Sequence, residues 1–166
     1  MNTRTLIRFG YDVLTYLMLP LIALHLLYKS LGDRNYLKRI NERFGFNGSP
    51  LTEKIIWVHA VSYGEVKAAS SLVDRLIKLY PEKQILLTTY TPTGSALIKE
   101  LFGDTVRHVY LPYDLNGSVL RFFKWANPEI SIIIETELWP NFFHYCGKLK
   151  VPLVLASACV SDKSIK

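Results

Sequence analysis

From residue 54 onward the apolar positions follow two alternating periods. Ile55, Ile56, Trp57 and Val58 form a short apolar run rich in β-branched and aromatic side chains, the pattern of a strand covered on both faces in a parallel sheet. Val66, Ala69, Leu72, Val73, Leu76, Ile77 and Tyr80 then recur at three- and four-residue spacing, which predicts an amphipathic helix packed on that sheet. The alternation repeats. Strands are predicted over Gln84–Tyr90, Arg107–Leu111, Ile130–Ile134 and Val151–Ala156, and helices over Gly94–Phe102 (opened by Pro92 and Thr93), Asn116–Ala126 and Pro140–Leu149. Leu115, Val119, Phe122 and Phe123 share the inward side of the helix at 116–126. Strands separated by helices of roughly ten to fifteen residues imply right-handed crossovers, so the fold class is α/β with a Rossmann-like parallel sheet. No G-x-G-x-x-G follows a strand, and a dinucleotide site is not supported.

The residues before 54 follow neither period. Val13–Tyr28 is sixteen residues without a formal charge, interrupted by Pro20 and His25 and extended upstream by Leu6, Ile7 and Phe9. A spanning helix needs ~20 apolar residues, so this run is slightly short. Arg4 and Arg8 precede it; Lys29, Arg34, Lys38, Arg39 and Arg43 follow. The heavier basic flank places the rest of the chain in the cytoplasm and attracts anionic lipid. A basic segment without a small-residue cleavage site disfavours a cleaved signal peptide. The expectation is a membrane anchor, either a single span or a helix lying in the interface, with an ordinary core helix as the bland alternative. Asp33–Pro50 reads as a charged helical piece through about Arg43 and then a Gly/Asn/Ser/Pro loop. The chain thus divides into an anchor helix at 1–30, a basic juxtamembrane connector at 31–53 and a Rossmann-like domain at 54–166.

Composition narrows this only a little. A chain of 166 residues holds one full domain and is too short for two large ones. Its formal net charge of +6 suits an anionic partner such as phosphate, nucleic acid or a lipid headgroup, without choosing among them. Cys146 and Cys159 are isolated, with no C-x-x-C spacing, so a reduced compartment and packing roles are the default and no zinc or iron–sulfur pattern is present.

Three predicted strand ends carry polar residues, and open α/β sheets place their ligands there. The first is Ser62–Glu65. Glu65 is a candidate functional carboxylate, but Ser62 and Glu65 also match the capping box S-x-x-E. The two roles are in tension, since a carboxylate at a positive helix end is a weaker base unless burial opposes it. The second is Thr88–Ser95, TTYTPTGS, whose hydroxyls and N–H groups suit a sugar or an anion, or simply make a turn and cap. The third is Glu135-Thr136-Glu137-Leu138-Trp139-Pro140, where two carboxylates follow an isoleucine strand; capping by Glu137 is the alternative.

HAVSYGE at 59–65, TTYTPTGS at 88–95, HVYLPYD at 108–114 and ETELWPN at 135–141, behind a short apolar amino-terminal helix, together resemble the bacterial lipid A Kdo (3-deoxy-D-manno-octulosonic acid) transferases. The four ordered motifs run along most of the chain. The resemblance implies the acceptor half of a GT-B glycosyltransferase that moves Kdo from CMP-Kdo to the 6′-hydroxyl of a lipid A precursor, with inversion and without a metal or other cofactor. It implies Glu65 as the general base, with capping a compatible second role, and Glu135 as a transition-state stabiliser. Ser62, Gly64, Thr91, Thr93, Gly94, Ser95 and Glu137 are the implied acceptor-binding residues. The implied partners are the lipid A precursor, the membrane at the cytoplasmic face of a Gram-negative inner membrane, and CMP-Kdo through a carboxy-terminal domain expected beyond Lys166; nucleic acid is not among them. The pattern departs from the family at Ser157–Ser161, where N-A-R-L-S is expected. The chain therefore reads as an enzyme half expected to be inactive alone. The alternatives are a membrane-tethered module that binds the precursor without catalysis and a generic monotopic structural protein.

Overall fold

The computed structural model describes residues 3–135, 137 and 139–156. Five strands, β1 (Ile55–His59), β2 (Ile85–Thr89), β3 (Arg107–Tyr110), β4 (Pro128–Ile134) and β5 (Leu153–Ala156), form one sheet in the order β3-β2-β1-β4-β5, and every neighbouring pair is parallel. Val58 lies opposite Leu87 on one side and Ile132 on the other, which makes β1 the central strand. Every residue of β1 and β2 is buried, in keeping with their unbroken apolar runs.

Alternate residues of β1 serve different cores. Ile56 and Val58 pack with Val66, Ala69 and Val73 of α3 (Tyr63–Leu79) and Ile98 of α4 (Pro92–Phe102). Ile55 and Trp57 face the other way, toward Val119 and Phe122 of α5 (Asn116–Ala126) and Phe142 and Tyr145 of α6 (Pro140–Leu149). Trp57 is fully buried, with Phe122 edge-on at 5.0 Å and Phe142 at 5.5 Å between ring centroids, and its indole N–H donates to Thr88 Oγ1 at 2.9 Å. Burial of a side chain of this size stabilises by about 1.5–3 kcal/mol, and such ring pairs add about 0.5–1.5 kcal/mol each. The chain builds β1, β2 and β3 outward with α3 and α4 on one face. It then returns across β1 to β4 with α5 and α6 on the other. The switch point of the sheet therefore lies between the carboxyl ends of β1 and β4.

Before the sheet the expectations need two corrections. The apolar run does not form one rod: α1 (Thr3–Leu17) and α2 (Leu19–Gly32) meet at Met18 with a bend of 43°. Pro20 sits in the first turn of α2, where it lacks the N–H that would continue the ladder and its ring crowds the preceding turn. No single helix among the described residues is long and apolar enough to cross a membrane, although the bent pair together passes on length and composition. Asp33–Arg43 is likewise no continuous helix. It forms two 3-10 turns, Arg34–Leu37 and Glu42–Phe44. Arg39, at φ 55°, is in the left-handed region between them and breaks the helical path.

The second turn is packed into the domain. Glu42 Oε2 accepts the Tyr110 N–H at 2.8 Å, the Arg43 carbonyl accepts the Tyr113 N–H at 2.9 Å, and the Arg121 guanidinium donates to the Phe44 carbonyl at 2.7 and 3.0 Å. Gly45 closes the turn at φ 77°, and a Cβ there would overlap the Ser118 carbonyl oxygen.

Candidate active site

The turn after β1 is tied down from both sides. The Val61 carbonyl accepts from Tyr90 N–H at 2.9 Å and from Thr89 Oγ1 at 2.7 Å. Its N–H donates to Glu65 Oε2 at 2.6 Å, and Ser62 Oγ donates to Glu65 Oε1 at 3.1 Å. This is an opened version of the predicted capping box. The glutamate reaches back one residue further, to Val61 instead of Ser62, and the serine donates to the carboxylate instead of accepting from the helix, where it makes no cap bond. A carboxylate has about four lone-pair positions. Two are used here, so Glu65 is held in one orientation and can still accept from a ligand hydroxyl. Gly64, beside it on the first turn of α3, is exposed.

Beyond β2, Thr91 Oγ1 accepts the Gly94 N–H at 3.0 Å and so caps α4, while Thr93 Oγ1 lies 3.3 Å from Thr91 Oγ1. A Cβ on Gly94 would come within 2.6 Å of Thr89 Oγ1, 3.0 Å of Thr91 Oγ1 and 3.4 Å of the Ser62 carbonyl carbon. Glycine at 94 thus lets α4 approach the Ser62 turn closely and joins the first two motifs. Ser95 points elsewhere, to His108 Nε2 at 2.8 Å and Arg39 Nη2 at 2.5 Å.

Beyond β4, Glu135 adopts φ 63°, which a non-glycine residue rarely does, and its N–H is fixed to the Ala156 carbonyl at 2.8 Å. Its side chain is exposed. Glu137 is partly buried, and burial raises its carboxyl above the ordinary range; the charges of Glu65 and Glu135 add to the rise. The Trp139 indole N–H lies close enough to oppose that shift but has no partner of good hydrogen-bond geometry among the described residues. Glu65 at the start of α3 and Glu135 after β4 are thus both near enough for their charges to reach Glu137, at the end of the sheet where the switch point lies. Thr136 and Leu138, the departure at 157–161 and Cys159 lie outside the described residues.

Several residues inside the four motifs make contacts that the sequence reading assigned to none of them. His59, fully buried, directs Nδ1 to Thr88 Oγ1 at 2.9 Å and leaves Nε2 without a partner among the described residues; burial lowers its pKa to about 3, so it is neutral near pH 7. The Tyr90 ring lies edge-on to His59 at 5.9 Å and tilted against Trp139 at 5.4 Å. Asp114, in the loop between β3 and α5, accepts the Asn141 and Phe142 N–H groups at 3.0 and 3.1 Å and the Tyr11 hydroxyl at 2.8 Å. The signal available was Asp12, the one acid before Asp33, since a polar group that becomes buried on a helix requires partners.

Comparison with known proteins bears on this geometry. The family model described as 3-Deoxy-D-manno-octulosonic-acid transferase (kdotransferase) matches residues 38–166. A 3-deoxy-D-manno-octulosonic acid transferase of Haemophilus influenzae is 43% identical over 159 residues, covering 95% of this chain and 37% of that protein. A probable 3-deoxy-D-manno-octulosonic acid transferase, mitochondrial, of Arabidopsis thaliana is 36% identical over 94% of this chain and 35% of its own length, and the Rickettsia bellii transferase is 31% identical over 94% and 37%. The chain thus spans little more than a third of the length of these relatives. All four motif segments fall inside the matched region, and the chain belongs to the 3-deoxy-D-manno-octulosonic acid transferase family.

Proposed function

We propose that this chain forms the acceptor side of a GT-B transferase that moves Kdo from CMP-Kdo to a hydroxyl of a lipid A precursor. One observation carries the reading: Glu65, held by Val61 N–H and Ser62 Oγ, follows β1 at the switch-point end of the sheet, and its charge reaches Glu137. A sugar hydroxyl is a weak nucleophile, and a positioned carboxylate that takes its proton as the new bond forms contributes about 10²–10⁴-fold in rate. The acceptor oxygen attacks the anomeric carbon of Kdo, its proton passes to Glu65, and the bond from that carbon to the CMP phosphate oxygen breaks with inversion. The anomeric carbon develops oxocarbenium character, and the Glu135 charge favours it. Ser62, Thr91 and Thr93 offer hydroxyls to the acceptor, and Gly64 and Gly94 allow close approach. The donor site falls to residues that the relatives carry beyond the matched third of their length.

The amino-terminal helices fit an acceptor whose acyl chains stay in a bilayer. Leu6, Ile7, Leu14 and Leu17 of α1, and Leu21, Leu24, Leu27 and Leu31 of α2, are exposed, while Tyr11 and Asp12 bond to the domain. We place this apolar surface in the interface of the inner membrane, on its cytoplasmic face. The test is CMP release by the full-length gene product given CMP-Kdo and vesicles carrying the precursor. Release that requires both supports transfer. Precursor binding without release marks a membrane-tethered binding module instead.

A further inference from the structure

Helix α1 docks on the domain through its polar stripe. Arg8, Tyr11, Asp12 and Thr15 share one face at three- and four-residue spacing and are partly buried, while Leu6, Ile7, Phe9, Val13, Leu14 and Leu17 are exposed. A surface helix of a globular domain ordinarily does the opposite. No apolar side chain of α1 belongs to either core among the described residues. The contacts that hold the helix are polar: the Tyr11 hydroxyl donates to Asp114 Oδ2 at 2.8 Å, and Asp12 accepts from Asn116 Nδ2 at 2.7 Å and from Asn141 Nδ2 at 3.1 Å. In water such a latch is weak, because each bond is exchanged for one to water when it opens.

The two asparagines that the latch holds open the next helices. Asn116 is the first residue of α5 and Asn141 the second of α6. Asn141 stands four residues after Glu137 and is 1% exposed, and its N–H donates to Asp114 Oδ2, the same oxygen that accepts from Tyr11. The first turn of α6 is thus held by α1 as well as by the loop after β3. Beside the latch runs a groove of about 570 Å³, lined by Phe9, Val13 and Leu17 together with Asp12 and Asn116. Those three apolar side chains also belong to the exposed face of α1. A layer of acyl chains lying on that face therefore fills the groove and covers the latch.

We propose that α1 is a membrane-sensitive latch: lipid along its apolar face strengthens the Tyr11 and Asp12 bonds, and Asp12 positions the start of α6 and with it the segment that carries Glu137. The physical link is water. Once lipid fills the groove, an opened latch leaves Tyr11, Asp12, Asn116 and Asn141 with less water to bond, so opening costs more. The bilayer thereby favours the closed arrangement, and a surface that favours one arrangement shifts the population toward it. The proposal rests on the membrane placement and the acceptor reading above. It makes Asp12 a positioning residue that touches no substrate.

The test follows hydrogen exchange of the Asn141 and Phe142 amides in the full chain, without vesicles and with saturating phosphatidylcholine–phosphatidylglycerol vesicles. Vesicles are expected to slow exchange at both amides by about tenfold, within the usual span of coupling between two sites. The amides of β2 should keep their rates, and a slowing shared equally by β2 marks general stabilisation and overturns the latch. Asp12→Ala should lose most of the vesicle response while still floating with vesicles, and Tyr11→Phe, which removes one bond, should lose part of it. If Asp12→Ala does not fold, Tyr11→Phe decides, and a full response in that variant overturns the latch. In the full-length gene product Asp12→Ala should lower kcat by about tenfold at an unchanged KM for CMP-Kdo, and a wild-type kcat overturns the positioning role. A wild-type chain that does not float removes the membrane placement and the latch with it, whereas floating without a change in exchange removes the latch alone. The exchange measurement uses no donor, so its outcome is separate from whether CMP is released in the transfer assay.

Discussion

Asp114 caps α6, which begins at Pro140, and not α5, the helix that follows it directly in the chain. Its Oδ2 accepts the Asn141 N–H at 3.0 Å and its Oδ1 the Phe142 N–H at 3.1 Å, while Trp139, at the cap position of α6, makes no side-chain cap bond. The capped turn begins at Pro140, three residues after Glu137. Asn141 Nδ2 also donates to the Asp114 carbonyl at 2.7 Å and to Asp12 Oδ1 at 3.1 Å, and Asp12 Oδ2 accepts from Asn116 Nδ2 at 2.7 Å. Helix α1 is thereby stitched to the start of α5 and of α6.

Replacing Asp114 tests this arrangement. Asp114→Ala strands two helix N–H groups and the Tyr11 hydroxyl, and is expected to cost about 2–4 kcal/mol in urea unfolding. Asp114→Asn keeps one acceptor oxygen and should lose less than half as much. Tyr11→Phe removes one hydrogen bond at the edge of the network and should cost about 1 kcal/mol. Equal stability of all three variants would show that the cap contributes nothing.

The exposed apolar surface of the two amino-terminal helices makes a membrane prediction. Leu21 and Leu24 are 56% and 64% exposed, so Leu21→Asp/Leu24→Asp should leave Tm within a few degrees of the wild type. Each leucine buried in an interface contributes about 1.5–3 kcal/mol, so the double variant should lose at least about a hundredfold in partitioning to phosphatidylcholine–phosphatidylglycerol vesicles. Unchanged flotation would remove these helices from the membrane account.

The buried His59 and the half-buried His108 set an acid limit on stability. His59 and His108 accept protons only near about 3 and about 4 when folded, against 6.5 when exposed, and burial is the main cause for both. Above pH 6.5 both states are neutral there and nothing is lost. As pH falls below 6.5 the unfolded chain takes up protons that the folded chain refuses, and stability falls. Asp114, Glu42 and Glu137, raised by burial, work in the opposite direction, so the informative quantity is a difference between variants. Between pH 6 and 4, His108→Gln should flatten the dependence of unfolding free energy on pH by up to ~1.4 kcal/mol per unit. Parallel profiles for the two proteins would contradict the burial of a neutral His108.

The strands and helices from residue 55 onward were legible because each apolar run matched one period, and the parallel sheet followed from their alternation. Boundaries moved by a few residues where caps decided them: α3 starts at Tyr63 instead of Val66 because the Ser62 backbone is already extended. The amino-terminal segment was misread where one local residue overrides a composition average, as Pro20 and Arg39 do. Glu65 and Glu135–Glu137 were visible as polar residues at strand ends, and the order β3-β2-β1-β4-β5 explains why those two ends meet. The partners of Asp114 and the bonds that hold α1 were not legible. Both depend on contacts between loops and helices far apart in the chain, and a single buried charge leaves no periodic trace.

The account stands most directly on Glu65, and the decisive measurement is the rate of Kdo transfer by the full-length gene product carrying Glu65→Gln. Glutamine keeps an oxygen for the Val61 N–H, so the Tm should stay within a few degrees while kcat falls by about 10²–10⁴-fold and the pH–rate profile loses its acidic limb. A well-folded Glu65→Gln enzyme that retains wild-type turnover would contradict Glu65 as the base and leave it as the anchor of the turn after β1.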